Sequence, residues 1–369
     1  MSVTEEQLGA ALATGRFALI GAGQLGEMAL ALWPAGVEKP AFILDSRKRG
    51  TLGGIEIRDL TDHQPVEGIT YLLSAFKMPT AEVDGIFARL GQPMVLTVYD
   101  FFDHHSPAIF SNGWRNLEAD DATRARLAAL PALFSDAESG AILEAVGAWR
   151  YDRVLRHDYP VGPEGSKYDL GLFGRADTHY DRVYDCGAFD LGLVDYFDPA
   201  GITFGRYLAF EPDPRNFATC ERRKARLDDR RAAAITIDAH PVYDRPGSHA
   251  FLANGQLSAR ITGEGALGHP ALMDLDAVTL DDVHAETGGA AGGRVLIKLH
   301  VEAAEPLALA GARRLIAATR SDILVNISHD ERSLLEIPAV LAGFGAHDLY
   351  LRSHSLFGEG LTLFARHKD

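Results

Sequence analysis

Between Val183 and Phe217 the chain reads Val-Tyr-Asp-Cys-Gly-Ala-Phe-Asp and then, one helix-length later, Tyr-Leu-Ala-Phe-Glu-Pro-Asp-Pro-Arg-Asn-Phe. An apolar run that stops at a glycine, a helical span, and a second apolar run that stops at an acid constrain the fold more than any other stretch. Glu211 falls 24 residues after Gly187. That is about the offset at which an acidic side chain at a strand end takes the ribose hydroxyls of an adenosine-containing cofactor in a doubly wound sheet.

The rest of the chain extends this pattern. Strand-like runs near 182–186, 206–210, 233–238, 294–301, 322–328, 346–352 and 361–366 alternate with helical spans, as in an α/β domain. Upstream, Arg16–Ile20 ends at Gly21-Ala-Gly23-Gln-Leu-Gly26, and Leu25, Met28, Ala29 and Leu32 follow at helical spacing up to Pro34. Ala41–Leu44 then ends at Asp45, which completes a second βαβ start. Further strands are expected at 70–73 and 94–99 with a helix between them, and 116–156 reads as helical. A Pro/Gly loop runs from Pro160 to Gly165, and Gly247–Gly268 reads as a loop or short hairpin. With 369 residues there is room for two cores. The expected organisation is a Rossmann-like domain over 1–115, a helical link over 116–180 and a second α/β domain over 181–369. The fold class is α/β, with two Rossmann-like doubly wound domains, the second built on a mostly parallel seven-stranded sheet.

Charge narrows the partners. A formal net charge of −15 argues against a nucleic-acid or anionic-membrane surface, since phosphates call for a basic footprint. No apolar run is long enough to cross a bilayer. The first residues show no basic-then-apolar leader, and two cysteines, Cys186 and Cys220, make no disulfide framework. A cytoplasmic setting is the expectation.

Other residues carry chemistry. Gly21, Gly23 and Gly26 open a helix after a strand and can bring backbone N–H groups to a phosphate, with Asp45 as the ribose acid; a nucleotide is the ligand this loop would take. The same glycines also serve a tight turn and close packing. Lys298, His300 and Glu302 share one face if 294–301 is a strand, followed by Glu305. Three ionisable groups on a buried strand imply a site or a compensating ion-pair network. His329 ends another strand, where doubly wound sheets place ligands, and an imidazole suits proton removal. Arg352 and His354 end the strand after that, as substrate contacts or as a solvated edge. Asp103-His104-His105 looks metal-like, but adjacent histidines point apart. No metal is expected.

The wording of the central motif, Asp185-Cys-Gly187-Ala188-Phe-Asp with Phe210-Glu211-Pro212-Asp-Pro-Arg-Asn-Phe, resembles the FkbM family of S-adenosylmethionine-dependent methyltransferases. The resemblance spans roughly 16–366: Phe134–Ser139 with Trp149-Arg150, Val278–Asp282, Lys298–Glu305, Ser328-His329, and Tyr350–Arg352 through Leu361–Phe364 each resemble a family element. The N-terminal Gly-Ala-Gly domain resembles an accessory domain found on some members and on surface-glycan enzymes. The resemblance implies S-adenosylmethionine as cofactor, with Asp185, Gly187 and Ala188 at its amino-acid end and Glu211 with Pro212 at the ribose. It also implies methylation of a hydroxyl on a sugar-like or polyketide acceptor, with His329 or His300 as base and Lys298, Glu302, Glu305, Arg352 and His354 facing the acceptor.

The chain departs from the family at two places. Leu191 stands where the family has glycine, and in the second signature His300 and Ala303 replace an acid and a glycine. An imidazole in place of a carboxylate changes the charge and the hydrogen-bonding pattern. The leading expectation is an O-methyltransferase acting on a small hydroxylated acceptor. The alternatives are an impaired, methyltransferase-like binding or regulatory protein and a nucleotide-dependent oxidoreductase working through the N-terminal loop.

Overall fold

The computed structural model describes the chain except residues 1–4, 14, 93, 106–112, 117, 157, 163–166, 174–177, 253–259, 262–271 and 369. It forms two compact units. One comprises 1–123, 141–162 and 353–359; the other comprises 124–140, 163–352 and 360–369. The segment 116–180 is thus divided between the units, and 353–359 groups with the first.

The first unit holds a five-stranded sheet of β1 (Phe17–Ile20), β2 (Phe42–Asp45), β3 (Gly50–Leu52), β4 (Ile55–Asp59) and β5 (Thr70–Leu73), in the order β3-β4-β2-β1-β5. All pairs are parallel except β3 with β4, which form a hairpin. β1 and β5 are buried throughout, as strands covered on both faces must be. The helices Gln24–Ala31 and Thr80–Arg89 follow β1 and β5. The strand expected at 94–99 does not form. Thr97 makes one isolated bridge to Leu73, and the helix Val98–His105 begins there. Its acids are used within the unit, Asp100 and Asp103 both pairing with Arg115.

The second unit holds the seven strands expected from the sequence. They are β6 (His179–Cys186), β7 (Thr203–Phe210), β8 (Ile235–Asp238), β12 (Arg294–Leu299), β13 (Arg320–Asn326), β14 (His347–Ser353) and β15 (Leu361–His367). Between β8 and β12 lie β9 (Gly247–Leu252), β10 (Arg260–Ile261) and β11 (Leu272–Ala277), a small antiparallel sheet. The rest of the 247–268 stretch lies outside the described residues. The large sheet runs β14-β15-β13-β12-β6-β7-β8. The strands from β8 to β13 are parallel, and β15 runs antiparallel to β13. Val183, Tyr207, Leu296, Leu324 and Phe364, one from each of five strands, pack into one core with Leu191, Val194 and Phe197. No helix among the described residues is long and apolar enough to cross a membrane.

Candidate functional site

In a parallel sheet the loops at the carboxyl ends of the strands form the crevice where ligands bind. Here the ends of β6, β7 and β12 border a cavity of about 400 Å³, within the usual range for small-molecule sites. Gly187, Ala188, Phe210, Glu211, Pro212, Lys298, His300 and Glu302 line it.

The turn after β6 needs glycine. Gly187 has φ +75°, and a Cβ there would overlap the backbone carbonyl oxygen of His300. The N–H groups of Gly187 and Ala188 both donate to the carbonyl oxygen of Phe210, at 2.9 and 3.0 Å, so the ends of β6 and β7 hold one another.

Glu211, at the end of β7, is buried. Its Oε2 accepts from the Phe189 N–H at 2.7 Å, and its Oε1 accepts from the Asp213 N–H at 3.0 Å. Burial raises its pKa, although these N–H groups stabilise the ionised form. Oε1 also accepts from Asn216 Nδ2 at 3.5 Å, and the second lone pair of Oε2 lets Glu211 accept from a hydroxyl in the cavity.

Leu191 does not close the cavity. It occupies the left-handed region at φ 62°, where glycine fits best, but its side chain is fully buried in the core. Among the described residues, its neighbours Gly192 and Leu193 reach the cavity wall and Leu191 does not.

β12 ends at Leu299, two residues before its expected end, so the strict alternation of side chains stops there. Lys298 lies 2.9 Å from Asp185 Oδ1 and donates to the Gly187 carbonyl oxygen at 2.6 Å. Burial disfavours its ammonium, yet the Asp185 carboxylate outweighs that and raises its pKa. The other oxygen of Asp185 accepts from the Tyr207 hydroxyl at 2.6 Å. Asp185 therefore anchors β6, β7 and β12 from behind the turn and is not on the cavity wall.

Beyond β12, Glu302 and Ala303 both take left-handed backbone at φ 52° and 73°. This turn sets Glu302 Oε1 between two imidazoles, 3.4 Å from His300 Nε2 and 3.1 Å from His329 Nε2. His300 Nδ1 is hydrogen-bonded to the Tyr168 hydroxyl at 2.9 Å. His329 Nδ1 lies 2.8 Å from Glu305 Oε1, which also accepts from the Val301 N–H.

The two histidines are shifted in opposite directions. Burial, together with the Lys167 cation, holds the pKa of His300 well below the ordinary histidine value. Burial acts the same way on His329, but the Glu305 and Glu302 carboxylates override it and raise its pKa well above that value. The Glu302 pKa is lowered for the matching reason: burial raises it, and His329 with the hydrogen bonds from both histidines outweighs that.

Of the residues singled out in the sequence, His329, Glu305 and Asp185 stand behind the cavity wall. Arg352 is elsewhere, donating to Asp136 at 2.7 Å and lying 3.3 Å from Glu138. His354 groups with the first unit. Lys298 reaches the wall, but its ammonium is used by Asp185 and backbone carbonyls. The cavity also has wall residues that sequence spacing did not single out, including Tyr168, Asp190, Tyr196, Asn216 and Arg223. Asp213 and Asn216 carry a readable signal, an Asp-Pro helix start in which Asp213 caps the helix by accepting from the N–H groups of Arg215 and Asn216.

In the first unit, the glycine loop is occupied by its own side chains. Asp45 Oδ2 accepts from the Ala22 N–H, and its Oδ1 accepts from the N–H groups of Arg47 and Lys48, all at 2.8 Å. A Cβ on Gly26 would press on the Gly21 carbonyl oxygen, and one on Gly21 on that of Ser74. Close packing accounts for these two glycines.

No protein-family model matches the chain, and no curated protein matches it. Among solved structures, the methyltransferase FkbM of Methylobacillus flagellatus KT aligns over 98% of this chain and 94% of its own, at 18% identity and a TM-score of 0.66. An uncharacterised protein of Burkholderia thailandensis covers 69% of this chain and 76% of its own at 14% identity, with a TM-score of 0.21 that carries no argument. The fold the sequence resembles is the fold the structure shows: an FkbM-like methyltransferase fold.

Proposed function

We propose that the second unit is an S-adenosylmethionine-dependent O-methyltransferase acting on a hydroxyl of a small, sugar-like acceptor. The observation that carries this reading is Glu211. It is a buried carboxylate at the end of β7, held by the N–H groups of Phe189 and Asp213, and it faces a cavity of about 400 Å³ beside the Gly187 turn. A ribose diol suits such an acceptor pair. Tyr196, Phe251 and Val242 give the cavity an apolar wall suited to a purine, while Asp190 and Asn216 supply polar groups.

The cofactor supplies an electrophilic methyl group; the protein positions the acceptor and removes its proton. His300 fits that second part better than His329. It lines the cavity, its pKa is held below the ordinary histidine value, and a proton it takes up at Nε2 would be met by the Glu302 carboxylate. His329 stands behind the wall between Glu302 and Glu305, so its part is to hold Glu302 in place. The acceptor class rests on the family resemblance and on the polar wall residues. The reading concerns the second unit; in the first, Asp45 is engaged by its own loop.

The test is transfer of labelled methyl from S-adenosylmethionine to a panel of monosaccharides and other small polyols. Transfer is expected with the wild type, and His300→Asn should lower kcat while leaving cofactor affinity unchanged. Cofactor binding with no transfer to any hydroxyl would favour a binding protein that retains the fold.

A further inference from the structure

The cluster beside the cavity has a geometry that an ion-pair network alone does not require. His300, Glu302 and His329 each offer one donor atom, and the three atoms lie within 4.8 Å of one another. Glu302 Oε1 is 3.4 Å from one imidazole Nε2 and 3.1 Å from the other. Ligands bound at about 2.1 Å in tetrahedral or octahedral array stand about 3.0 to 3.4 Å apart. Each ring is also oriented from behind. Tyr168 holds Nδ1 of His300, and Glu305 holds Nδ1 of His329, which the Ala303 N–H also approaches at 3.2 Å. Outer partners of this kind commonly fix metal-bound histidines and leave Nε2 for the ion. His329 Nε2 is buried and has Glu302 Oε1 at 3.1 Å. The left-handed turn at Glu302 and Ala303 is strained backbone kept where it presents this carboxylate.

We infer that His300, Glu302 and His329 form a binding site for one divalent first-row transition ion. Two imidazoles and one carboxylate suit zinc, iron(II), cobalt or manganese better than magnesium or calcium, which favour oxygen donors. His300 and Glu302 lie on the cavity wall and His329 behind it, so the remaining coordination positions face the cavity. No metal is evident in the sequence, because His329 comes from a separate strand end, outside the segment that carries His300 and Glu302.

The site itself does not depend on the methyltransferase proposal. Its use does: resting on that reading, the ion would bind the acceptor hydroxyl oxygen and acidify it, with the proton passing to water and His300 acting as ligand rather than base.

The test is titration of the tag-free chain with Co²⁺, followed by visible absorption, alongside thermal unfolding with S-adenosylhomocysteine. One Co²⁺ per chain with ligand-field bands is expected, with the bands lost in His300→Ala and in Glu302→Gln. Each variant must retain the wild-type circular dichroism. Absence of saturable Co²⁺ binding, or binding unchanged in both variants, overturns the site. Stabilisation by S-adenosylhomocysteine without Co²⁺ binding removes the metal site and leaves the cofactor reading standing; the converse removes the cofactor reading and leaves the metal site.

Discussion

Lys298 and Asp185 face each other across neighbouring parallel strands at 2.9 Å, with both side chains buried. Removing one partner leaves a buried charge without compensation, which typically costs about 3 to 5 kcal/mol. Lys298→Met should therefore destabilise the protein by about that amount. The double variant Lys298→Met/Asp185→Asn should recover a large part of the loss. Urea unfolding of the single and double variants measures both.

Gly187 meets the His300 carbonyl at φ +75°. Alanine there would strain the backbone and collide with a main-chain atom that cannot rotate away. Gly187→Ala should cost at least about 2 kcal/mol, because left-handed strain and overpacking add. It should also shift His300, which follows the end of β12, so cofactor affinity should fall together with Tm.

Leu191 presents two opposing effects. Glycine would relieve left-handed strain of about 1 to 2 kcal/mol. It would also remove a fully buried side chain, and large-to-small changes of that kind cost about 2 to 5 kcal/mol. The second effect is larger, so restoring the family's glycine with Leu191→Gly should destabilise the protein by about 1 to 3 kcal/mol. A gain in stability would mean that the side chain contributes little to the core.

The pair Asp136–Arg352 should show in the acid limb of stability. Burial raises the Asp136 pKa, but hydrogen bonds from Arg352 and Ser139 outweigh it and leave the folded value lowered. A lowered folded pKa contributes stability above the unfolded value, near 3.9, that is lost as pH falls through the folded value. Asp136→Asn should therefore be less stable than wild type at about pH 6, with the gap closing toward about pH 2. A gap that does not change with pH would contradict the pairing.

Much of this architecture is legible in the chain because interior parallel strands are apolar on both faces. β12 and β13 are buried along nearly their whole length, and each stands out through a three-residue apolar core, Val295–Ile297 and Ile323–Val325. The 94–99 run misleads for a local reason. Thr97 and Asp100 form a capping box, with the Asp100 N–H donating to Thr97 Oγ1 and the Thr97 N–H donating to Asp100 Oδ2. The apolar residues Val98 and Tyr99 are thus the first turn of a helix. The hairpin 50–59 is hidden by three glycines in a short, weakly alternating stretch.

The site divides along similar lines. Gly187, Glu211 and His300 sit in local motifs and are readable. The partner of Arg352 is 216 residues away, and the hydroxyl that orients His300 belongs to Tyr168, 132 residues away. Local spacing carries no trace of either. His329 is readable as a strand-end histidine, but the two carboxylates beside it, Glu302 and Glu305, are brought there only by the fold.

The most direct test of the central claim is thermal unfolding with saturating S-adenosylhomocysteine, comparing wild type with Glu211→Gln and using a nicotinamide dinucleotide as the control ligand. Ligand at about 100 times its dissociation constant adds roughly 2.7 kcal/mol of stability, a clear rise in Tm. The account predicts that rise for the wild type, a much smaller one for Glu211→Gln, and none with the dinucleotide. No shift with S-adenosylhomocysteine, or an equal shift in both proteins, would contradict it.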